Sequence, residues 1–257
     1  MYKRNDVIKE LKGFLVKHPK VYTVWEGGSA ATNRLDEYSD LDLMIVTEKE
    51  DIESLYQELE VILNNAFVIE QVYKIEEPSW HGFSQRFYKL KKTEPYFYID
   101  LCILPKDVND PFTASDRHGV ISAWKDTINF IVNTKTDESI IYNKAKKFYN
   151  NAVKSEFIMR LEIEKAFKRD NFLDAYSFSY SYLMRHLAPL LNILHRIARV
   201  DFGIRYAKQE YSFEDYNMII RFFEASDMIK LKDVFKLMIE RFELLSKETS
   251  ILLDNLL

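Results

Sequence analysis

Glu26-Gly27-Gly28-Ser29, followed ten residues on by Ser39-Asp40-Leu41-Asp42-Leu43-Met44-Ile45-Val46, decides how this chain is read. A strand-like run, Val21 to Trp25, meets a pair of glycines and a serine. Glycines let backbone N–H groups come close to an anion, and the Ser29 hydroxyl adds a donor. Side chains alternate faces along a strand, so Asp40 and Asp42 share one face and Leu41 and Leu43 the other. Two carboxylates roughly 7 Å apart along a strand suit a hard cation such as Mg²⁺ that also holds phosphates. The pattern predicts a phosphate-bearing ligand and a metal.

Outward from this stretch, apolar spacing predicts a helix over 6–17 behind Asn5 and Asp6, then strands over 21–26 and 40–47. Asp51 is read as the cap of a helix running to about Leu63. Strands are expected over 66–75 and 83–90, joined by Pro78-Ser79-Trp80-His81-Gly82, and over 96–104. This last strand holds a lone acid, Asp100, in an apolar run, and burying a carboxylate costs several kcal/mol unless it is paired. Pro111 to Gly119 reads as loop, and 120–124 and 128–132 as short strands. Beyond Thr134–Glu138 the pattern is helical: 138–168, 172–199, 213–224 and 228–254. Strands with helices, then helices alone, predict an α+β chain: an N-terminal mixed sheet with flanking helices over 1–136, then an all-α helical bundle over 137–257.

Six glycines and six prolines in 257 residues favour long regular elements, and 47% apolar content is ample for cores. A net charge of −4 with pI near 5.8 argues against a generic nucleic-acid binder. One cysteine, Cys102, excludes an internal disulfide and suits a reducing compartment. Met1 to Lys20 lacks the unbroken apolar core of a signal peptide, and no apolar run has membrane-spanning length. A cytoplasmic protein without a membrane partner is the expectation.

Competing motifs fail on spacing. Apolar residues interrupt any calcium loop at Asp40–Asp42. No Gly-Lys-Ser/Thr follows Gly28, and the third glycine of a dinucleotide fingerprint is missing. Asp201-Phe202-Gly203 is read as a helix end and not as a kinase motif, since no catalytic-loop aspartate or glycine-rich loop accompanies it. The five histidines show no zinc spacing. Cys102 shares a strand face with Asp100 and reads as a small apolar filler or a residue lining the site. Helix 172–199 holds Tyr176, Tyr180, Tyr182, Arg185 and His186, with a kink expected at Pro189. It is either a central bundle helix or the wall of a ligand cleft. Arg205, Tyr206 and Lys208 form a further cationic group, a solvated face or a triphosphate contact.

Gly28-Ser29, Asp40-x-Asp42 and a third acid, Asp100, on a later strand resemble the nucleotidyltransferase superfamily, the polymerase-beta-like fold, over about 15–105. The helical half is similar in layout to aminoglycoside and lincosamide adenylyltransferases. The resemblance implies Asp40, Asp42 and Asp100 as metal ligands and catalytic acids for Mg²⁺, two ions in the family's chemistry, with Asp100 as general base. Gly28 and Ser29 would bind the terminal phosphates of ATP or another NTP. A hydroxyl of the acceptor would attack the α-phosphorus and release pyrophosphate. Glu26, Tyr182, Arg185 and His186 are candidate substrate contacts; Glu26 departs from the family pattern, whose strand end is usually uncharged there.

The primary expectation is therefore AMP transfer to a small hydroxylated molecule such as an aminoglycoside-like antibiotic, conferring resistance to it. The alternatives are transfer to a protein side chain, against which the helical half argues, and a non-catalytic nucleotide-binding module, against which the third acid argues.

Overall fold

The computed structural model describes residues 1–108 and 111–256. The chain divides into two compact units, Met1–Lys135 and Thr136–Leu257. In the first, α1 (Arg4–Leu15) leads into β1 (Thr23–Glu26), the single-turn α2 (Gly28–Ala31), β2 (Leu41–Thr47) and α3 (Ile52–Ala66). There follow β3 (Ile69–Lys74), β4 (Ser84–Leu90), β5 (Ile99–Pro105), the short α4 (Ser115–His118) and β6 (Ala123–Asp126). The six strands form one mixed sheet in the order β3-β4-β5-β2-β1-β6. Only β2 and β5 run parallel among these neighbours.

Period-2 alternation divides the sheet's two faces. Leu41, Leu43, Ile45, Ile99, Leu101 and Ile103 pack in one core with Val7, Leu11, Leu55 and Leu59 of α1 and α3. The opposite face has a smaller core of Trp25, Val46, Phe83, Cys102, Leu104 and Ile121. The positions between these apolar residues on β2 and β5, toward the strands' N-terminal ends, are Asp42 and Asp100.

The second unit comprises α5 (Glu138–Lys168), α6 (Phe172–Tyr182), α7 (Ala188–Arg196), the single turn α8 (Ala207–Glu210), α9 (Phe213–Phe223) and α10 (Met228–Asp254). Asp137, Asn171, Ser212 and Asp227 each cap a helix, their side chains accepting backbone N–H groups of Ser139, Asp174, Asp215 and Lys230. Leu183, Leu187, Leu190, Phe222, Phe235 and Leu245 lie in its core. No helix among the described residues is long and apolar enough to cross a membrane.

The expected α+β order of sheet then bundle holds, and local details differ for identifiable reasons. Asp6 does not cap α1 from outside: it sits in the first turn and accepts the Lys3 N–H at 2.8 Å. Asp51 leaves α3 without a side-chain cap because its carboxylate pairs with Lys20 at 2.6 Å. No strand forms over 128–132: the Asp126 carboxylate accepts the N–H groups of Phe130 and Ile131, and Asn129 and Asn133 hold positive φ. Helix 172–199 is interrupted by a π-helical turn at Leu183–Leu187. Pro189 just beyond it has no N–H to donate to a carbonyl one turn back, and the wider turn accommodates that loss.

Candidate active site

The glycine turn closes directly over β2. Gly27 N–H donates to the Asp42 carbonyl at 2.9 Å, and Gly28 has φ +51°. A Cβ on Gly28 would lie 1.7 Å from Asp42 Oδ2, so the carboxylate rests where any other residue would put its side chain. The Ser29 hydroxyl is buried and has no hydrogen-bond partner among the described residues. Such an orphaned donor costs free energy unless a ligand engages it. Gly119 closes the turn from outside: at φ +87°, its Cβ would lie 2.2 Å from the Ala31 carbonyl, which accepts the Val120 N–H at 3.0 Å.

The parallel pairing of β2 and β5 places Asp42 directly beside Asp100. Asp40 precedes β2, and Leu41 N–H donates to the Tyr98 carbonyl at 3.1 Å, which fixes that register. The Tyr98 hydroxyl is hydrogen-bonded to Asp40, and this bond, with burial and the charges of Asp40, Asp42 and Asp100, raises its pKa. Burial pushes the Asp100 carboxyl up, and the negative charge of Asp40 adds to it, against a Gln85 hydrogen bond that lowers it. Burial, then Asp100 and Asp42, also push the Cys102 thiol up, so it is no thiolate nucleophile at neutral pH.

A relay fixes Asp100. Phe83 N–H donates to His81 Nδ1 at 3.0 Å, so the ring proton sits on Nε2. His81 Nε2 then donates to Gln85 Oε1 at 3.0 Å, which turns the Gln85 amide to donate to Asp100 Oδ1 at 2.7 Å. Each donor and acceptor in this chain has one consistent role.

Oxygen ligands and mutually repelling carboxylates fit a hard divalent cation in both charge and ligand type. Among the described residues, no three or more His, Cys, Asp or Glu side chains form a ready-made metal cage. An open set suits Mg²⁺, which is commonly held by one or two carboxylates together with substrate phosphates.

Residues 8–92 match the family model of the nucleotidyltransferase domain. That segment is similar to a nucleotidyltransferase domain. The match takes in the glycine turn, Asp40 and Asp42, and the sheet register sets Asp100, from outside the matched segment, beside Asp42. No curated protein matches the chain. The structure of a STING-associated CdnE c-di-GMP synthase from Capnocytophaga granulosa is similar over 96% of this chain and 79% of that one, with 13% identity and a TM-score of 0.31.

The candidate substrate contacts fall elsewhere. Glu26 is on the helix-covered face, where it accepts from Arg4 of α1 and from Trp124 Nε1 at 3.1 Å. Alternation along β1 explains this: Trp25 faces the side of Asp42 and Asp100, Glu26 the other. Tyr182 is fully buried in the helical core, its hydroxyl donating to Glu156 at 3.1 Å. His186 is buried there too, its Nδ1 donating to the Ala152 carbonyl at 3.0 Å. Arg185 is exposed and, with His186, borders a cavity of about 430 Å³ within the helical unit. Tyr98, Gln85 and His81 escaped the sequence reading. Their roles depend on strand register, and no spacing in the chain reveals register.

Proposed function

We propose that this protein is a Mg²⁺-dependent nucleotidyltransferase that moves AMP from ATP to a hydroxyl of a small molecule and releases pyrophosphate. The observation that carries the reading is the in-register pair Asp42 and Asp100 beneath a glycine turn that only glycine can make. Asp40, Asp42 and Asp100 are the residues that would hold Mg²⁺, whose chemistry is to neutralise triphosphate charge and orient the reacting oxygens. Gly28 and the unpaired Ser29 hydroxyl bind the terminal phosphates. Asp100, pinned through Oδ1 by Gln85, accepts the acceptor's hydroxyl proton. The acceptor oxygen forms a bond to the α-phosphorus as the bond to pyrophosphate breaks. The raised pKa of Asp100 suits a base that must hold a proton in the transition state.

The test is pyrophosphate release with each NTP in Mg²⁺ across a panel of hydroxylated acceptors that includes aminoglycosides and lincosamides. ATP is the expected donor. Asp40→Asn, Asp42→Asn and Asp100→Asn should each reduce transfer by roughly a thousandfold or more while circular dichroism remains native. Wild-type turnover in any of the three removes that residue from the mechanism, and turnover in all three ends the proposal.

A further inference from the structure

One row of side chains crosses the acid-bearing face of the sheet. Pairing aligns Asp42 of β2 with Asp100 of β5, Asp100 with Phe87 of β4, and Phe87 with Tyr73 of β3. The glycine turn follows β1, on the other side of β2. From the turn outward the sequence of chemistry is therefore phosphate donors, paired carboxylates, then aromatic rings. Neighbouring strands are about 4.8 Å apart. Phe87 thus stands one strand beyond Asp100 and Tyr73 two.

The rings form a continuous surface. Phe87 and Tyr73 are stacked, with centroids 6.1 Å apart and planes 25° from parallel. Tyr98 lies against Phe87 at 6.1 Å, and its hydroxyl is bonded to Asp40. Tyr73 is 64% exposed, on an edge strand whose residues after Ile69 are all exposed. Phe87 is half-buried while Tyr73 and Tyr98 are exposed; core packing gives no reason for the two exposed rings, and exposed aromatic surface next to a polar centre marks a binding platform.

We infer that Phe87, Tyr73 and Tyr98 are the acceptor platform, and that the acceptor is a hydroxylated molecule carrying a flat aromatic ring. The inference rests on the nucleotidyl-transfer reading of the three acids. In-line displacement requires the attacking hydroxyl and the leaving pyrophosphate on opposite sides of the α-phosphorus. With phosphates at the glycine turn, the hydroxyl arrives from the β4–β3 side, next to Asp100. A ring one to two strands further out then lies over Phe87 and Tyr73, the span between a sugar hydroxyl and a ring attached to that sugar. A saturated sugar offers such a stack only its C–H groups, whereas a flat aromatic ring meets it with a whole π-face.

The experiment titrates adenosine and p-nitrophenyl glucoside, with ribose and glucose as their ring-free counterparts, into the full chain by calorimetry without NTP. The ring-bearing probes should bind at least tenfold tighter than their counterparts. Phe87→Leu, which keeps packing volume, and Tyr73→Ser, at an exposed position, should each weaken ring binding by roughly fivefold or more, with melting temperature monitored. Equal binding of ring-bearing and ring-free probes overturns the platform, as does undiminished ring binding in the double variant. The two readings fail separately. Transfer surviving in Asp100→Asn with ring binding intact overturns the catalytic assignment alone. Transfer lost in Asp100→Asn with the Phe87 and Tyr73 variants binding like wild type overturns the platform alone.

Discussion

Asp100 shows how a single residue's environment is shaped by its neighbours. Burial and Asp40 raise its pKa, and Gln85 is the group that counters them most. Gln85 in turn faces Asp100 with its amide nitrogen only because His81 occupies its oxygen, and His81 has that tautomer only because the Phe83 N–H occupies Nδ1. Replacing Gln85 by Leu removes a bond that favours the ionised carboxylate, so the Asp100 pKa rises further. The acid limb of kcat/KM should move to higher pH in Gln85→Leu, and by less in His81→Phe, where the amide keeps its reach but loses its orientation. A drop in kcat with an unmoved limb would assign Gln85 to packing alone. Gly28 makes a complementary point: its need for glycine is legible in sequence as a Gly-Gly-Ser turn, but its reason, the Asp42 carboxylate lying where a Cβ would go, belongs to the folded site.

At the scale of elements, α1 is tied to the base of the site by two bonds from one side chain. Arg4 donates to Glu26 and, through Nε, to the Asp40 carbonyl at 3.0 Å. Arg4 and Glu26 are both mostly buried, with 19% and 17% side-chain exposure, so removing one strands the other. Arg4→Met should cost about 1 kcal/mol in chemical denaturation. Glu26→Gln keeps a hydrogen-bonding shape and should leave acceptor KM unchanged; a raised KM would restore Glu26 to the substrate site. The reach of sequence reasoning is visible in the same elements. Alternation in Asp40–Val46 and in Tyr96–Leu104 is enough to place Asp42 and Asp100 on strands, with Asp40 just ahead of β2, because one face of each strand must be buried. Strand order and register were out of reach: Asp42 and Asp100 are 58 positions apart in the chain yet side by side in the sheet. The pairing of Glu26 is not legible in its own stretch, because its partner, Arg4, is supplied by a different element. The apolar character of helix 172–199 is legible in its sequence, and where a kink is expected at Pro189 the structure has a π-helical turn at Leu183–Leu187; the burial of Tyr182 and His186 follows from α5 packing on it, and apolar spacing alone does not show which polar groups a neighbour satisfies.

For the whole molecule, each of the two compact units holds a carboxylate, half-buried Asp100 in one and buried Asp215 in the other, and their pKa values shift in opposite directions. In Met1–Lys135, Asp100 is raised by burial. In Thr136–Leu257, Asp215 is 3% exposed and bound by Arg241 through both oxygens, at 2.7 and 3.0 Å, and by His195 at 2.8 Å. Burial raises the Asp215 pKa, but the Arg241 and His195 bonds outweigh it, and the net shift is downward. The signs then follow from proton binding. A raised folded pKa means that the native state binds more protons, so the penalty from Asp100 is full above its folded pKa and disappears below the unfolded value near 4. A lowered folded pKa means that Asp215 stabilises above about 4 and loses that contribution as pH falls through its folded pKa. Amide exchange read separately on β2 and β5 and on α9 and α10 should diverge in acid. Between pH 7 and 4, protection of β2 and β5 should rise relative to α9 and α10, and below pH 4 protection of α9 and α10 should fall. Asp100→Asn should raise β2 and β5 protection at pH 7 and remove their pH dependence above 4, while Arg241→Met should lower α9 and α10 protection by roughly 2–4 kcal/mol. Parallel pH profiles in the two units, or an Asp100→Asn variant less protected than wild type at pH 7, would show that Asp100 is stabilising and that the energetic cost assigned to the candidate site is misplaced.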